Sequence, residues 1–171
     1  VYKTTRHGAR PWDEYEYTTD ASTVWSFALE PGYEDPGSIL LGDDLSQVFI
    51  SEDGGETWDL VSGAKLPSAI YDTWVAFDPA YATSGIIYAA AGREIHRCVI
   101  DPDADWADQE WEVICDNLDY AAGIQAAGDT ALYVTDDDLT EGCKAEDPCC
   151  DDGVADYGGV LRSLNPDADD K

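Results

Sequence analysis

Short apolar segments recur along this chain with a period of about 50 residues, and that recurrence constrains the fold more than any single motif. Phe27, Pro31, Tyr33, Gly37 and Ile39 are echoed by Phe77, Pro79, Tyr81, Gly85 and Ile87. Trp58-Asp-Leu-Val61 is echoed by Trp111-Glu-Val-Ile114, and Ala131-Leu-Tyr-Val134 stands where Ile86-Ile-Tyr-Ala89 stood. Upstream, Val1-Tyr-Lys-Thr4 and Trp12-Asp-Glu-Tyr15 prefigure Val48-Phe-Ile-Ser51 and Trp58-Asp-Leu-Val61. The segments are β-branched or aromatic and are separated by Gly, Pro, Asp and Ser, which are strand and turn signals. No amphipathic helical stretch of useful length interrupts them.

A period of this length carrying four short strands predicts an all-β chain built of β-propeller blades, each a four-stranded antiparallel sheet. Residues 1–20 would be the outer strands of a partial blade, 21–67 and 68–119 two full blades, and 120–171 a third, incomplete blade with a Cys- and Asp-rich insertion. Thr23–Leu29, Thr73–Asp78 and Ala122–Ala127 are expected innermost, because small and apolar residues suit a crowded axis. Propellers usually close with at least four blades. The chain is therefore expected to be part of a larger propeller, or to close through other copies of itself. It also contains no methionine, so the same reading expects processing ahead of Val1 or an interior piece of a longer protein.

Charge narrows the partners. The 171 residues carry 37 Asp and Glu against 9 Lys and Arg, a formal charge of −28. Such a field repels phosphate backbones and anionic lipid, which argues against nucleic acid. No apolar run reaches the ~18–20 residues of a membrane span, so no direct membrane insertion is expected. Asp clusters should mark loops, most of them solvated acidic surface. One cluster is a candidate for Ca2+: Asp101, Asp103 and Asp105 alternate as at the start of a calcium-binding loop. The glycine and distant glutamate that complete such a loop are missing.

Five cysteines, at 98, 115, 143, 149 and 150, form no CxxC pair and no zinc-like spacing with His7 or His96. Disulfides in an extracellular or cell-surface setting fit better. Cys98 and Cys115 fall in adjoining strands and are expected to pair, with Cys143 joining Cys149 or Cys150.

The most specific string is Ser51-Glu-Asp-Gly-Gly-Glu-Thr-Trp58. Ser51, Asp53, Gly55, Thr57 and Trp58 match the Asp-box pattern Ser-x-Asp-x-Gly-x-Thr-Trp at every defined position. The chain thereby resembles the BNR/Asp-box repeat β-propeller superfamily of sialidases, sortilin-like receptors and surface repeat proteins. That resemblance implies a box at the blade periphery, with a structural role, between third and fourth strands. It implies no sialidase activity here, because Arg6, Arg10, Arg93, Arg97 and Arg162 do not fall in the positions of the sialidase arginines. The expected function is an extracytoplasmic structural or binding module of a cell-surface, S-layer-like or filament assembly, and not an enzyme. Its partners would be further blades or copies of the same chain, with a glycan or protein ligand as a further candidate. The alternatives are part of a glycan-processing hydrolase, or a receptor or assembly-factor propeller.

Overall fold

The computed structural model describes residues 2–3, 13–14, 22–34, 36–67, 71–118, 120–128, 131–136 and 160–163. The described residues are all-β, arranged as antiparallel sheets of a β-propeller. β1 (Tyr2–Lys3) pairs with β2 (Asp13–Glu14). The first four-stranded sheet runs β3 (Val24–Leu29), β4 (Ile39–Asp43), β5 (Val48–Ser51) and β6 (Asp59–Leu60) in that order. The second runs β7 (Thr73–Phe77), β8 (Ile86–Ala91), β9 (Glu94–Val99) and β10 (Glu112–Cys115). A three-stranded sheet follows: β11 (Ala121–Ala127), β12 (Ala131–Asp136) and β13 (Val160–Ser163). The only α-helical segment among the described residues is one turn, α1 (Tyr81–Ser84). It ends where Gly85 adopts φ +63° and its amide closes on Tyr81 O.

The middle strands explain why these sequences form stacked sheets. β4, β5, β8 and β9 are buried along nearly their whole length, as both faces are covered. One core lies between the first and second sheets, with Leu40, Val48 and Ile50 against Ile87, Ala89 and Cys98. A second lies between the second and third sheets, with Tyr88, Ala90 and Ile95 against Ala121, Leu132 and Val134. A third, on the outer face of the first sheet, holds Ile39, Leu41, Phe49 and Trp58.

The first strand of each sheet lies at one edge, and these edges converge: β7 packs beside both β3 and β11. Ser26 fastens the first pair. Its Oγ donates to Thr73 O at 2.8 Å and accepts the Val75 amide at 3.1 Å. Gly42 faces the Thr73 carbonyl so closely that any Cβ would collide with backbone. Trp74 Nε1 donates to Ala121 O at 3.0 Å across the second junction. Ser46, fully buried and at φ +59°, latches the segment entering the second sheet. Its amide donates to Tyr71 O at 3.2 Å, its Oγ accepts from Tyr71 N at 2.9 Å, and its carbonyl accepts from Leu66 N at 2.8 Å.

The expected Cys98–Cys115 disulfide is overturned. Cys98 is a free, buried thiol, while Cys115 is disulfide-bonded to another partner. Register explains it. Cys115 sits opposite Ile95, beyond a bulge in β10, whereas Cys98 sits opposite Ile87. Positions 95 and 98 point to opposite faces of a pleated strand, so the two sulfurs belong to different cores. Cys143, Cys149 and Cys150 lie outside the described residues.

Candidate functional site

The inner strands read VWSFAL, TWVAF and AAGIQAA, and none carries an ionisable side chain. Their C-terminal halves and the loops that follow enclose an axial groove of ≈ 460 Å³. Its walls include Phe27, Leu29, Phe77 and Ile124, with Pro31 and Pro79 at the strand exits and Gln125 as the polar side chain. Phe27 is 68% exposed and Leu29 47%, which is unusual for large apolar residues in an inner strand. No acid, base or nucleophile faces this groove among the described residues. Polar groups gather instead where the inner strands begin. Tyr120 Oη donates to Asp72 Oδ2 at 3.2 Å, and its ring meets Tyr71 edge-on at 5.9 Å. The Tyr120 amide donates to Asp136 Oδ1 at 2.8 Å.

The Asp-box residues come together in the turn joining β5 to β6. Asp53 Oδ1 accepts the Ser51 hydroxyl at 2.8 Å and the Glu56 and Thr57 amides at 2.9 and 2.8 Å. Asp53 Oδ2 accepts the Thr57 hydroxyl at 2.6 Å. Partial desolvation acts to raise the Asp53 pKa, but these hydrogen bonds outweigh it and bring the carboxyl down to about 2. Gly55, at φ +100°, lies beside the buried Trp58, whose Nε1 donates to Gly55 O at 3.2 Å. Both carboxylate oxygens of Asp53 thus accept from donors within the turn. The arrangement closes a turn and offers no reactive group.

The second sheet replaces that turn with a loop from Asp101 to Trp111, and here the Ca2+ expectation finds no support. The described residues contain no cluster of three or more His, Cys, Asp or Glu able to hold a metal. Asp101 Oδ1 folds back to accept the Asp103 amide at 2.9 Å, and Asp101, Asp103 and Asp105 are all exposed. The loop centre is filled by Gln109, which is buried. Its Nε2 donates to the carbonyls of Asp101, Ala104 and Asp105 at 3.0, 3.2 and 3.4 Å, while its Oε1 accepts the Asp101 amide at 2.9 Å. An amide donor thus sits where carbonyl oxygens would otherwise gather round a cation. Sequence reading missed Gln109, and its only signal was an uncharged residue within an acidic run.

His96, also passed over, is fully buried in β9. Burial depresses its pKa to about 4. Glu94 Oε2 lies 3.2 Å from Nε2, yet neither ring nitrogen completes a hydrogen bond. Cys98, two residues on, has its pKa raised to about 11, chiefly by burial. A thiol so protonated is no nucleophile.

No family model matches the sequence, and no curated protein matches it. Among solved structures, the chain is similar to the PQQ-bound aldose sugar dehydrogenase of Streptomyces coelicolor. That match is 19% identical, covers 69% of this chain and 39% of that one, and has a TM-score of 0.51. It is also similar to a Thermus thermophilus protein named as a putative oxidoreductase (glucose dehydrogenase). Here identity is 18%, coverage 86% of this chain and 45% of that one, and the TM-score 0.55. The chain therefore spans less than half the length of either. These neighbours are propeller dehydrogenases, a different type from the BNR/Asp-box superfamily, and they correct that assignment. The functions drawn from it fall with it: the surface or filament module, the hydrolase and receptor alternatives, and the non-enzyme reading. At these identities the likeness establishes the β-propeller fold.

Proposed function

We propose that this chain is a section of a β-propeller oxidoreductase acting on sugars, in which it builds part of the wall of the axial channel. The observation that carries this reading is the convergence of β3, β7 and β11 on one groove. Ligand sites favour such concave positions at the mouths and axes of closed β structures. Both neighbours, named as sugar or glucose dehydrogenases, support the reaction class. Further blades beside β3 complete the ring in this reading, which accounts for Trp25, outside the groove, being 48% exposed along an inner strand. An extracytoplasmic location belongs to the same proposal, supported by the acidic composition and the bonded Cys115.

The residues present do not fit a PQQ cradle. PQQ is a quinone bearing several carboxylates, and the groove offers it no cationic side chain among the described residues. No step through that group is assigned to this chain. The test is to purify the natural polypeptide containing this sequence, supply PQQ, and assay aldose-dependent reduction of an artificial electron acceptor. Turnover of any aldose supports the proposal, and its absence across a panel of aldoses overturns it.

A further inference from the structure

Within the sugar-oxidising reading, on which this inference rests, no Lys or Arg among the described residues lines the groove. Arg97 is buried between β9 and β10 and bonds Glu112 at 2.6 Å. The Arg162 guanidinium lies over the Tyr133 ring at 5.8 Å, between second and third strands of its sheet. Arg93 sits in the β8–β9 hairpin and Lys65 in the loop after β6, both exposed. The inner strands carry no ionisable residue at all.

We infer that the axial wall built by this chain excludes PQQ, and that a quinone carried by the completed propeller is held by residues outside these inner strands. The physical case has two parts. A carboxylate moved out of water into a groove must find an Arg or Lys partner, or a set of converging amides, to offset its lost hydration. The side chains of these walls are hydrocarbon apart from the single carboxamide of Gln125, the remaining polar lining being backbone, and none is cationic. Beyond contact range, the −28 formal charge repels an incoming polyanion. His96 gives no relief, because it is sealed between sheets and its burial holds it neutral at physiological pH.

The test separates field from pocket. PQQ is equilibrated by dialysis against the chain in roughly 0.1 M and about 1 M salt, between which the Debye length falls from about 10 Å to about 3 Å. The parent chain should show no saturable uptake at either salt concentration. Phe27 and Gln125 are exposed groove residues whose replacement leaves the cores intact. The double variant Phe27→Arg/Gln125→Arg should bind PQQ at least about tenfold more tightly than the parent, given charge-assisted contacts. Saturable uptake by the parent that persists in high salt would overturn the inference while strengthening the dehydrogenase reading. A double variant no better than the parent would also overturn it, since charge would then not be what excludes the quinone. Failure of aldose oxidation, by contrast, strikes the dehydrogenase reading and leaves the dialysis result standing.

Discussion

The first and second sheets close the same position, the link from third to fourth strand, by opposite chemistry. In the first sheet a carboxylate, Asp53, gathers hydroxyl and amide donors into a tight turn. In the second an amide, Gln109, reaches into a longer loop and satisfies its carbonyls. The two closures touch: Trp106 Nε1 donates to Glu52 Oε2 at 3.1 Å, and Gly63 lies against Ala107. What the repeat preserves is the satisfaction of turn backbone beside a tryptophan. An acceptor serves where amides converge, and a donor serves where carbonyls do.

The largest effect should come from the tryptophans. Trp58→Ala removes a buried ring and should cost about 3–5 kcal/mol. Trp111→Ala should cost clearly less, because Trp111 is only half-buried. Urea denaturation of the two variants checks the order, and equal losses would break the contrast. Next come the closures themselves. Gln109→Glu sets a carboxylate against three carbonyls and should lose roughly 1–3 kcal/mol at neutral pH, with part recovered on acidification. Asp53→Asn keeps the shape but weakens the acceptor, and should lose about 1–2 kcal/mol with no such recovery.

Acid should reach the two sheets in sequence. His96 has a folded pKa of about 4 against an ordinary 6.5. Below pH 6.5 the unfolded chain binds a proton that the folded chain refuses, so stability falls as pH drops from 6.5 towards 4. Asp53, depressed from 3.8 to about 2, contributes stability that is complete above pH 3.8 and lost only below it. Amide exchange should therefore accelerate around β9 before the Ser51–Trp58 turn opens, and His96→Phe should flatten the first phase. An Asp53 turn that opens first would refute the order. The smallest expected effect is none: millimolar Ca2+ added after chelation should leave Tm unchanged, because Gln109 fills the loop. A rise of several degrees would reverse that conclusion.

Much of this was legible in the sequence. The period marked the sheets, and the small and apolar residues of Thr23–Leu29, Thr73–Asp78 and Ala122–Ala127 marked the inner strands. The Asp-box string located its turn. It did not identify the propeller, because a string that only closes a turn is a local solution available to any blade. The Cys98–Cys115 error came from treating adjacency of strands as adjacency of side chains. A bulge between Val113 and Cys115 shifts the register, and pleat parity does the rest. Alternating aspartates suggested a cation loop, but spacing along the chain does not reveal that Asp101 turns back on its own neighbour. The axial groove was legible only as apolar strands, since its walls come from segments about 50 residues apart.

The Ser46 latch bears on how the molecule assembles. Its hydrogen bonds to Tyr71 bridge 25 residues, short by the standard of contacts that must bring distant pieces of chain together. Loop-closure entropy is modest at that separation. A finished β4–β5 hairpin can therefore capture the segment that leads into β7 and set the height at which that strand starts. Ser26 then extends the same seam along Thr73 and Val75. A nascent polypeptide emerging from its N-terminal side would add one sheet at a time, each templating its successor, much as a repeat array propagates from a formed unit.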